Sequence, residues 1–176
     1  MAVHIERLAP HHLRTGCDCG EPALNDFLQR QAGQLERRGF GKTYVALADG
    51  SVQVLGFITV SAGQVQTSQL PAHLKLPRYP APVLRIGRLG VDKNQQGKGI
   101  GQRLMAFALQ VALEFSEQVG IYAVLVDAKN EQAKAFYQRL GFGVATANDP
   151  LCLYLPVKAL ADASAIHNPL RETKPR

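Results

Sequence analysis

Apolar and polar positions in the first third of the chain switch between the spacing of strands and that of helices. Weak alternation over residues 3–8 predicts a first strand, and branched and aromatic residues over 43–48 and 54–62 predict two more. Asp49-Gly50, between the last two, is typical of a hairpin turn. Over residues 22–37 the apolar positions instead follow helical spacing, which predicts an amphipathic helix.

The rest of the chain begins with an irregular, proline-rich stretch over residues 64–82, a long loop of a kind that is often functional. The order of all predicted elements is β-α-β-β-β-α-β-α-β-β, which indicates an α+β domain with a mixed sheet and helices on both faces. We expect one domain over residues 1–157 and a polar, frayed tail over 158–176. The later strands are predicted over 83–91, 121–126, 142–145 and 151–155, and the later helices over about 100–120 and 130–140.

Composition limits the classes of protein that this chain can be. With 176 residues, of which 46% are hydrophobic, it is long enough to bury one sizeable core. No apolar run approaches the roughly 18 residues of a membrane span, and the N-terminus lacks the apolar stretch of a secretory signal. Cys17, Cys19 and Cys152 cannot all pair, so we expect reduced thiols and a cytoplasmic protein. The net charge of +6 suits an anionic cofactor and is compatible with a nucleic-acid partner.

Three glycines, Gly97, Gly99 and Gly101, lie where the strand over 83–91 gives way to the next helix. The first N–H groups of a helix have no intrahelical partner and bind phosphate oxygens, and glycine lets a ligand approach the backbone closely. The spacing differs from the G-x-G-x-x-G of dinucleotide folds, and the G-x-x-x-x-G-K-[ST] of nucleotide hydrolases does not occur. We therefore expect a phosphorylated cofactor of another kind at this loop.

Two blocks in the second half of the chain resemble the signatures of the GNAT acetyltransferases. Gln96-x-x-Gly99-x-Gly101 resembles their acyl-coenzyme A signature, Q/R-x-x-G-x-G/A. The second block resembles the helix N-x-x-A-x-x-F-Y-x-x-x-G-F through Asn130, Ala133, Phe136, Tyr137, Gly141 and Phe142. Because both blocks occur in order and at the right distance, the resemblance implies a GNAT-like, mostly antiparallel sheet with splayed central strands, and acetyl-CoA as the cofactor.

The chain also resembles a narrower group in that family, the toxins of bacterial toxin–antitoxin pairs that acetylate the amino acid on charged tRNA. Their F-x-C-G-x-x-x-L-x-x-F/W-L block is similar to residues 17–28, their L-G-R-L-A-V-D to residues 86–92, and their A-K-A-F-Y to residues 133–137. Cys17 in place of an aromatic residue, Gly90 in place of alanine, and the tail are departures from that pattern. The resemblance implies aminoacyl-tRNA as the acceptor and a small ribbon-helix-helix antitoxin as a partner.

The same resemblance implies a role for each matching residue in a direct acetyl transfer. Amides near Leu89 and Val91 would pair with the pantetheine arm, and one of them would polarise the thioester carbonyl. Asn130 would fix the arm further along, and Tyr137 would protonate the departing thiolate, although an aromatic at such a position is also typical of a core. The diphosphate would be held by Gln96 and by the amides of Gly97, Lys98, Gly99 and Gly101. For Gln96 the alternative is that its side chain only caps the turn.

The predicted strand over residues 83–91 carries no Asp or Glu that could deprotonate an acceptor, but it carries Arg85 and Arg88. A lysine amine has a pKa of about 10.4, whereas an α-amino group, at about 7.7–8, needs much less help. We infer an acceptor with an α-amino group and an anionic body, held by Arg85 and Arg88; for Arg88 a structural ion pair is the alternative. Aminoacyl-tRNA meets both conditions. A small amine or a protein N-terminus as the acceptor, and a non-catalytic acyl-coenzyme A binding module, are the competing hypotheses.

Two further groups of residues have simple explanations beside the functional ones. His11, His12, Cys17 and Cys19 match no common zinc spacing, so we expect no metal site. The sequence is also compatible with a homodimer. A solvated face explains any single basic residue, but five of them are candidate tRNA contacts: Arg37, Arg38, Lys42, Lys75 and Arg78.

Overall fold

The computed structural model describes residues 2–167 of the chain, which fall into two compact units. Within the described residues, the first unit comprises 2–62 and 86–108, and the second comprises 63–85 and 109–167. No helix within the described residues is long and apolar enough to cross a membrane.

Strands form the centre of each unit. Within the described residues they are β1 (Val3–Arg7), β2 (Lys42–Ala48), β3 (Val54–Val65), β4 (Ala81–Val91), β5 (Ala123–Asp127), β6 (Gly143–Thr146) and β7 (Asp149–Pro156). In the first unit the hydrogen-bonded order is β1-β2-β3-β4, and in the second it is β4-β5-β7-β6, with β4 contributing to both. The ladders β1–β2, β2–β3, β5–β7 and β6–β7 are antiparallel.

The helices are connected to these strands in the predicted order. They are α1 (Pro22–Asp26), α2 (Ala32–Arg37), α3 (Ile100–Ser116), α4 (Glu131–Arg139) and α5 (Val157–His167), together with short 3-10 turns at Thr67–Gln69 and Ala72–Leu74. A π-helical segment, Phe27–Gln31, joins α1 to α2, and the Ala32 N–H donates to the Phe27 carbonyl five residues back. The helix that the sequence predicts over 22–37 is therefore one helical stretch with an interruption.

Close backbone approach packs the core of the first unit. A Cβ on Gly56 would lie 3.0 Å from the Gly90 carbonyl oxygen and 3.2 Å from Leu104, at the start of α3. A Cβ on Gly90 would lie 2.8 Å from Cys19 Sγ and 2.9 Å from the Phe57 ring. Gly90 therefore lets Cys19 and Phe57 pack directly against the backbone of β4. The apolar core residues include Cys17, Cys19, Phe27, Leu28, Ala32, Val45, Leu47, Val54 and Phe57.

The core of the second unit is built around β5. Its run Ala123–Val126 is almost fully buried, in agreement with the nearly continuous apolar sequence there. Other residues of that core come from the end of β3, from β4, β6 and β7, and from the connection between β3 and β4: Val65, Leu70, Ala81, Val83, Ala145 and Tyr154.

The predicted α+β class and the order of the predicted elements are confirmed, and three details differ. The π-helical segment is absent from the prediction because the apolar spacing over residues 22–37 also fits a regular α-helix. β3 continues to Val65, three residues beyond the predicted end. The frayed tail expected from residue 158 onward is wrong as far as residue 167, because α5 (Val157–His167) covers this stretch; its alanine-rich sequence favours a helix, and the Val157 N–H donates to the Tyr122 carbonyl at 3.0 Å. The remainder of the predicted tail, 168–176, lies outside the described residues.

Candidate active site

The loop between β4 and α3 presents backbone amides in the first unit. Gly97 and Gly99 have φ values of 78° and 81°, in the left-handed region that favours glycine. The Arg103 N–H donates to the Gly99 carbonyl at 3.1 Å, so the amides at 99–102 precede the intrahelical ladder. The first turn of α3 contains no acidic residue, and Lys98 adjoins it. Both the helix N-terminus and Lys98 therefore favour an anion here.

Asp92 organises this loop, and the sequence analysis did not single it out. Its side chain is buried, and its carboxylate accepts hydrogen bonds from the Asp18 N–H at 3.0 Å and from the Asn94 N–H at 2.8 Å. Its own N–H donates to the Leu55 carbonyl of β3 at 2.8 Å. A buried carboxylate that accepts backbone bonds holds a loop firmly, because such charge-assisted bonds are strong. The signal that could have found it is an acid directly after an apolar strand.

Asp18 connects the predicted N-terminal block, residues 17–28, to the same loop. Its carboxylate accepts bonds from the Asn25 side chain and the Gly20 N–H, both at 2.9 Å, and lies 3.1 Å from Lys93 Nζ. These interactions, led by the bond from Asn25, lower the pKa of Asp18 to about 2. The Lys93 N–H also donates to the Asp18 carbonyl at 2.7 Å. The block thus supports the loop between β4 and α3.

Polar side chains close the turn within that loop. The Gln96 amide donates to the Val91 carbonyl at 3.1 Å, which is the capping alternative that the sequence left open. Lys98 Nζ lies 3.4 Å from the Gln95 side-chain oxygen. Leu89 and Val91 are half-buried near the end of β4. Gln96 therefore shapes the turn, and its contact with a cofactor stays a prediction.

Arg88 lies at a small pocket of the first unit, with a volume of about 80 Å³. Its guanidinium carbon is 3.9 Å from the centre of the Phe27 ring, so a cation–π contact positions this side chain. The lining includes a carboxylate, Glu36, which accepts a hydrogen bond from Arg7 Nη2 at 2.8 Å. Most of the remaining large side chains in the lining are apolar, namely Leu35, Phe40 and Val60.

Arg85 lies in the second unit and forms an ion pair with Asp127. Arg85 Nη1 is 2.7 Å from Asp127 Oδ2, and the Asp127 side chain is well exposed. A structural ion pair was the alternative expected for Arg88. The structure instead shows an ion pair at Arg85, for which none was expected. If Arg85 contacts the acceptor, its guanidinium must bind the acceptor and the Asp127 carboxylate at the same time.

Asn130 caps α4 in the second unit. Its side-chain oxygen accepts a hydrogen bond from the Ala133 N–H at 2.8 Å, and its backbone is extended, as at a regular N-cap. The cap occupies the side-chain oxygen and leaves the amino group as the donor that Asn130 can offer a ligand.

Tyr137 projects from α4 into an aromatic cluster of the second unit. Its ring centre lies 5.3 Å from that of Phe136 and 5.9 Å from that of Phe142. The side chain is only 7% exposed, and burial raises the pKa of Tyr137 to about 12. The phenol therefore keeps its proton throughout the physiological range, which a proton donor requires.

Histidines near the N-terminus form a cluster with Glu6. The buried His12 receives the Ala9 N–H at its Nδ1 at 2.9 Å, and its Nε2 lies 2.6 Å from Glu6 Oε1. Nδ1 is therefore an acceptor and Nε2 carries the proton that bonds Glu6, which lowers the pKa of Glu6. A metal on Nε2 would need the proton on Nδ1, where the Ala9 N–H already points. This geometry suits a structural hydrogen bond between His12 and Glu6.

The predicted site residues thus fall into two groups, one in each unit. The first unit contains the loop from Gln96 to Gly101, the end of β4 and Arg88, and the second contains Arg85, Asn130 and Tyr137.

Known proteins resemble the chain over most of its length. The model of the acetyltransferase (GNAT) family matches residues 9–142. A tRNA-acetylating toxin of Mycobacterium tuberculosis is 33% identical over 154 residues, which cover 86% of this chain and 89% of the toxin. This chain belongs to the GNAT acetyltransferase family: it is an N-acetyltransferase, and acetyl-CoA is its acetyl donor.

Solved structures of two toxins show the same fold. A crystal structure of a tyrosine-to-phenylalanine mutant of KacT gives a TM-score of 0.87 at 34% identity, covering 93% of this chain and 99% of KacT. AtaT complexed with acetyl-methionyl-tRNAfMet gives 0.85 at 31% identity, covering 92% and 99%. A mutant AtaT toxin bound to the C-terminus of the antitoxin AtaR and acetyl-CoA gives 0.79 at 29% identity, covering 92% and 97%.

Proposed function

We propose that this enzyme transfers the acetyl group of acetyl-CoA to the α-amino group of aminoacyl-tRNA and thereby blocks translation as a toxin. The observation that carries the proposal is the Arg88 pocket, where a stacked guanidinium adjoins a largely apolar lining. The relatives support the choice of acceptor, since one is named a tRNA-acetylating toxin and another was solved with acetyl-methionyl-tRNAfMet.

The acceptor chemistry follows from the distribution of charge around this pocket. β4 carries no carboxylate, and Glu36 is engaged by Arg7, so a strong general base is not on offer there. An α-amino group, with a pKa of about 7.7–8, is partly neutral near pH 7 without such a base. Arg88, with Arg85 as a second cation, attracts the anionic body of the acceptor.

Main-chain groups hold the cofactor in this proposal. Acetyl-CoA supplies a thioester whose acyl carbon accepts the amine. The amides of Gly97, Lys98, Gly99 and Gly101 bind the diphosphate at the N-terminus of α3, and Gln96 keeps the turn closed. Along the pantetheine arm, the amides near Leu89 and Val91 pair with the chain and stabilise the developing oxyanion, and the Asn130 amino group donates further along.

Tyr137 is the proton donor in this proposal. As the N–C bond forms and the C–S bond breaks, the departing sulfur receives the phenolic proton, the amine releases its proton to solvent, and the phenolate regains a proton from solvent. The raised pKa of Tyr137 keeps the donor protonated, and general-acid catalysis of this kind contributes about 10²–10⁴-fold.

Partners and location follow from the same function. A small antitoxin of the ribbon-helix-helix type would neutralise the enzyme, as AtaT was solved with the C-terminus of the antitoxin AtaR. The acceptor places the enzyme in the cytoplasm. A homodimer is also proposed, and light scattering of the purified protein tests it.

Labelled acetyl-CoA incubated with the enzyme and bulk charged tRNA tests the function. We expect label on the α-amino group of aminoacyl esters and none on deacylated tRNA, together with growth arrest on expression that Tyr137→Phe relieves. Label on a small amine or a protein N-terminus would support the alternative acceptor. Cofactor binding without acceptor-dependent thiol release would indicate a non-catalytic module.

A further inference from the structure

A second groove of the first unit concentrates positive charge that the proposed acetyl transfer does not use. It has a volume of about 260 Å³ and runs along α2 and the start of β2. Its charged lining consists of Arg7, Arg14, Arg37, Lys42 and one carboxylate, that of Glu36. The groove therefore has a strong excess of cationic side chains.

Gly33 lies on α2 between two of these guanidinium groups. A Cβ at this position would lie 3.3 Å from Arg14 Nη1 and 3.4 Å from Arg37 Nη1. Glycine is the poorest helix former apart from proline, so helix formation does not explain it here. The missing side chain lets both guanidinium groups approach the backbone of α2 at the same point.

The charges of the groove are not evenly compensated. Arg7 Nη2 lies 2.8 Å and Lys42 Nζ 3.9 Å from the same oxygen of Glu36, so the carboxylate of the lining serves these two cations. Arg14 Nη1 instead donates to the Leu28 carbonyl of the π-helical segment at 3.4 Å, a bond that positions a guanidinium without neutralising it. Two like charges therefore converge at Gly33.

We propose that Arg14 and Arg37, with Gly33 between them, form a phosphate clamp that holds the backbone of the acceptor tRNA; the identity of the RNA rests on the proposed function. The planar fork of a guanidinium matches two phosphate oxygens at once. Phosphate contacts orient a nucleic acid without reading its sequence, which suits an enzyme whose chemistry is at the aminoacyl end.

Two substitutions of Gly33 that differ in charge but hardly in size test the clamp. Gly33→Glu places a carboxylate between the two guanidinium groups, and Gly33→Gln adds an uncharged side chain of the same shape. Binding of fluorescent, deacylated bulk tRNA is measured by anisotropy over a salt series without acetyl-CoA. Both side chains displace the two guanidinium groups, so the comparison is between the variants: we expect Gly33→Glu to bind about tenfold more weakly than Gly33→Gln and to have a log–log salt slope lower by about 1–2.

Arginine substitutions provide a second, independent measurement. Arg37→Ala is expected to lower the salt slope by about 1 and to weaken binding about five- to tenfold. Arg30→Ala removes the same charge from the exposed side of the π-helical segment, where Arg30 pairs with Asp26, and is expected to change binding less than about twofold. Equal losses in both variants would show general surface charge and overturn the clamp.

The outcomes separate the clamp from the proposed function. If Gly33→Glu melts like the parent protein and binds tRNA equally well, the clamp is wrong, even where charged tRNA is acetylated. If charged tRNA is not acetylated but Gly33→Glu loses RNA binding, the proposed function fails and the RNA site stands. Polyglutamate at matched ionic strength provides the last control. If it displaces bound tRNA from the parent protein and the two Gly33 variants bind tRNA equally, the clamp is wrong and an acidic protein partner is favoured.

Discussion

The loop between β4 and α3 and the side chain of Tyr137 reach their proposed roles by opposite means. The loop uses backbone amides, and its shape depends on Gly97, Gly99 and the bonds that Asp92 accepts. Tyr137 uses a single hydroxyl, and its protonation depends on burial in an aromatic cluster. A main-chain site is damaged by what is added to it or by what loosens it, and a side-chain site by what is removed.

Tyr137→Phe should give the largest effect, because it removes only the hydroxyl. We expect kcat to fall about 10²–10⁴-fold with an unchanged affinity for acetyl-CoA, measured by thiol release and by calorimetry. Tyr122→Phe is the control, because Tyr122 lies in the same unit and burial also raises its pKa. Loss of the Tyr122 hydroxyl should leave kcat within about twofold of the parent value. Full turnover in Tyr137→Phe would remove Tyr137 from the mechanism.

Asp92→Asn should loosen the loop by leaving one of its two backbone donors without an acceptor. We expect the free energy of unfolding to fall by about 1–3 kcal/mol and acetyl-CoA to bind more weakly. Asp49→Asn, at an exposed carboxylate that pairs with His4, should cost well under about 1 kcal/mol. Equal losses in the two variants, measured by denaturant titration, would mean that Asp92 does not hold the loop.

Gly97→Ala and Gly50→Ala form a matched pair that sharpens the main-chain half of the comparison. Both glycines have a φ of 78°, and a Cβ would meet no atom within 4 Å at either position. Each substitution should therefore cost about 1–2 kcal/mol of stability from backbone strain. Only Gly97→Ala should also lower the affinity for acetyl-CoA. The expected loss is about tenfold or more, which corresponds to one lost hydrogen bond to a charged group. Equal affinities by calorimetry would move the diphosphate away from Gly97.

Asp18 should give the smallest effect, and it depends on pH. Its pKa is lowered to about 2, so its contribution to stability is fully present above the unfolded pKa of about 4 and is lost as the pH falls toward 2. The difference in denaturation midpoint between the parent protein and Asp18→Asn should be constant above about pH 5 and should shrink below about pH 4. A difference that is independent of pH would show that the charge of Asp18 is not used.

The sequence predicted those parts of the molecule that local patterns encode. Glycine spacing located the loop at 97–101, and apolar spacing located the strands and helices. The network around Asp92 depends on Asp18, which is far away in the sequence, so no local pattern contains it. The ion pair between Arg85 and Asp127 was missed for the same reason.

The chain after β7 shows a different limit of sequence analysis. Small and polar residues suggested fraying after Pro156, but alanine-rich segments form helices once a neighbour anchors them, as Tyr122 anchors Val157. The roles of the individual site residues remain predictions that the variants above test.

The π-helical segment Phe27–Gln31 sets the rotational phase of α2. If the same residues continued as a regular α-helix without the wide turn, every residue after it would be rotated by about 100°, and Gly33 and Arg37 would face away from Arg14. Loss of the wide turn alone would thus redirect a charged surface while every side chain on it stayed the same.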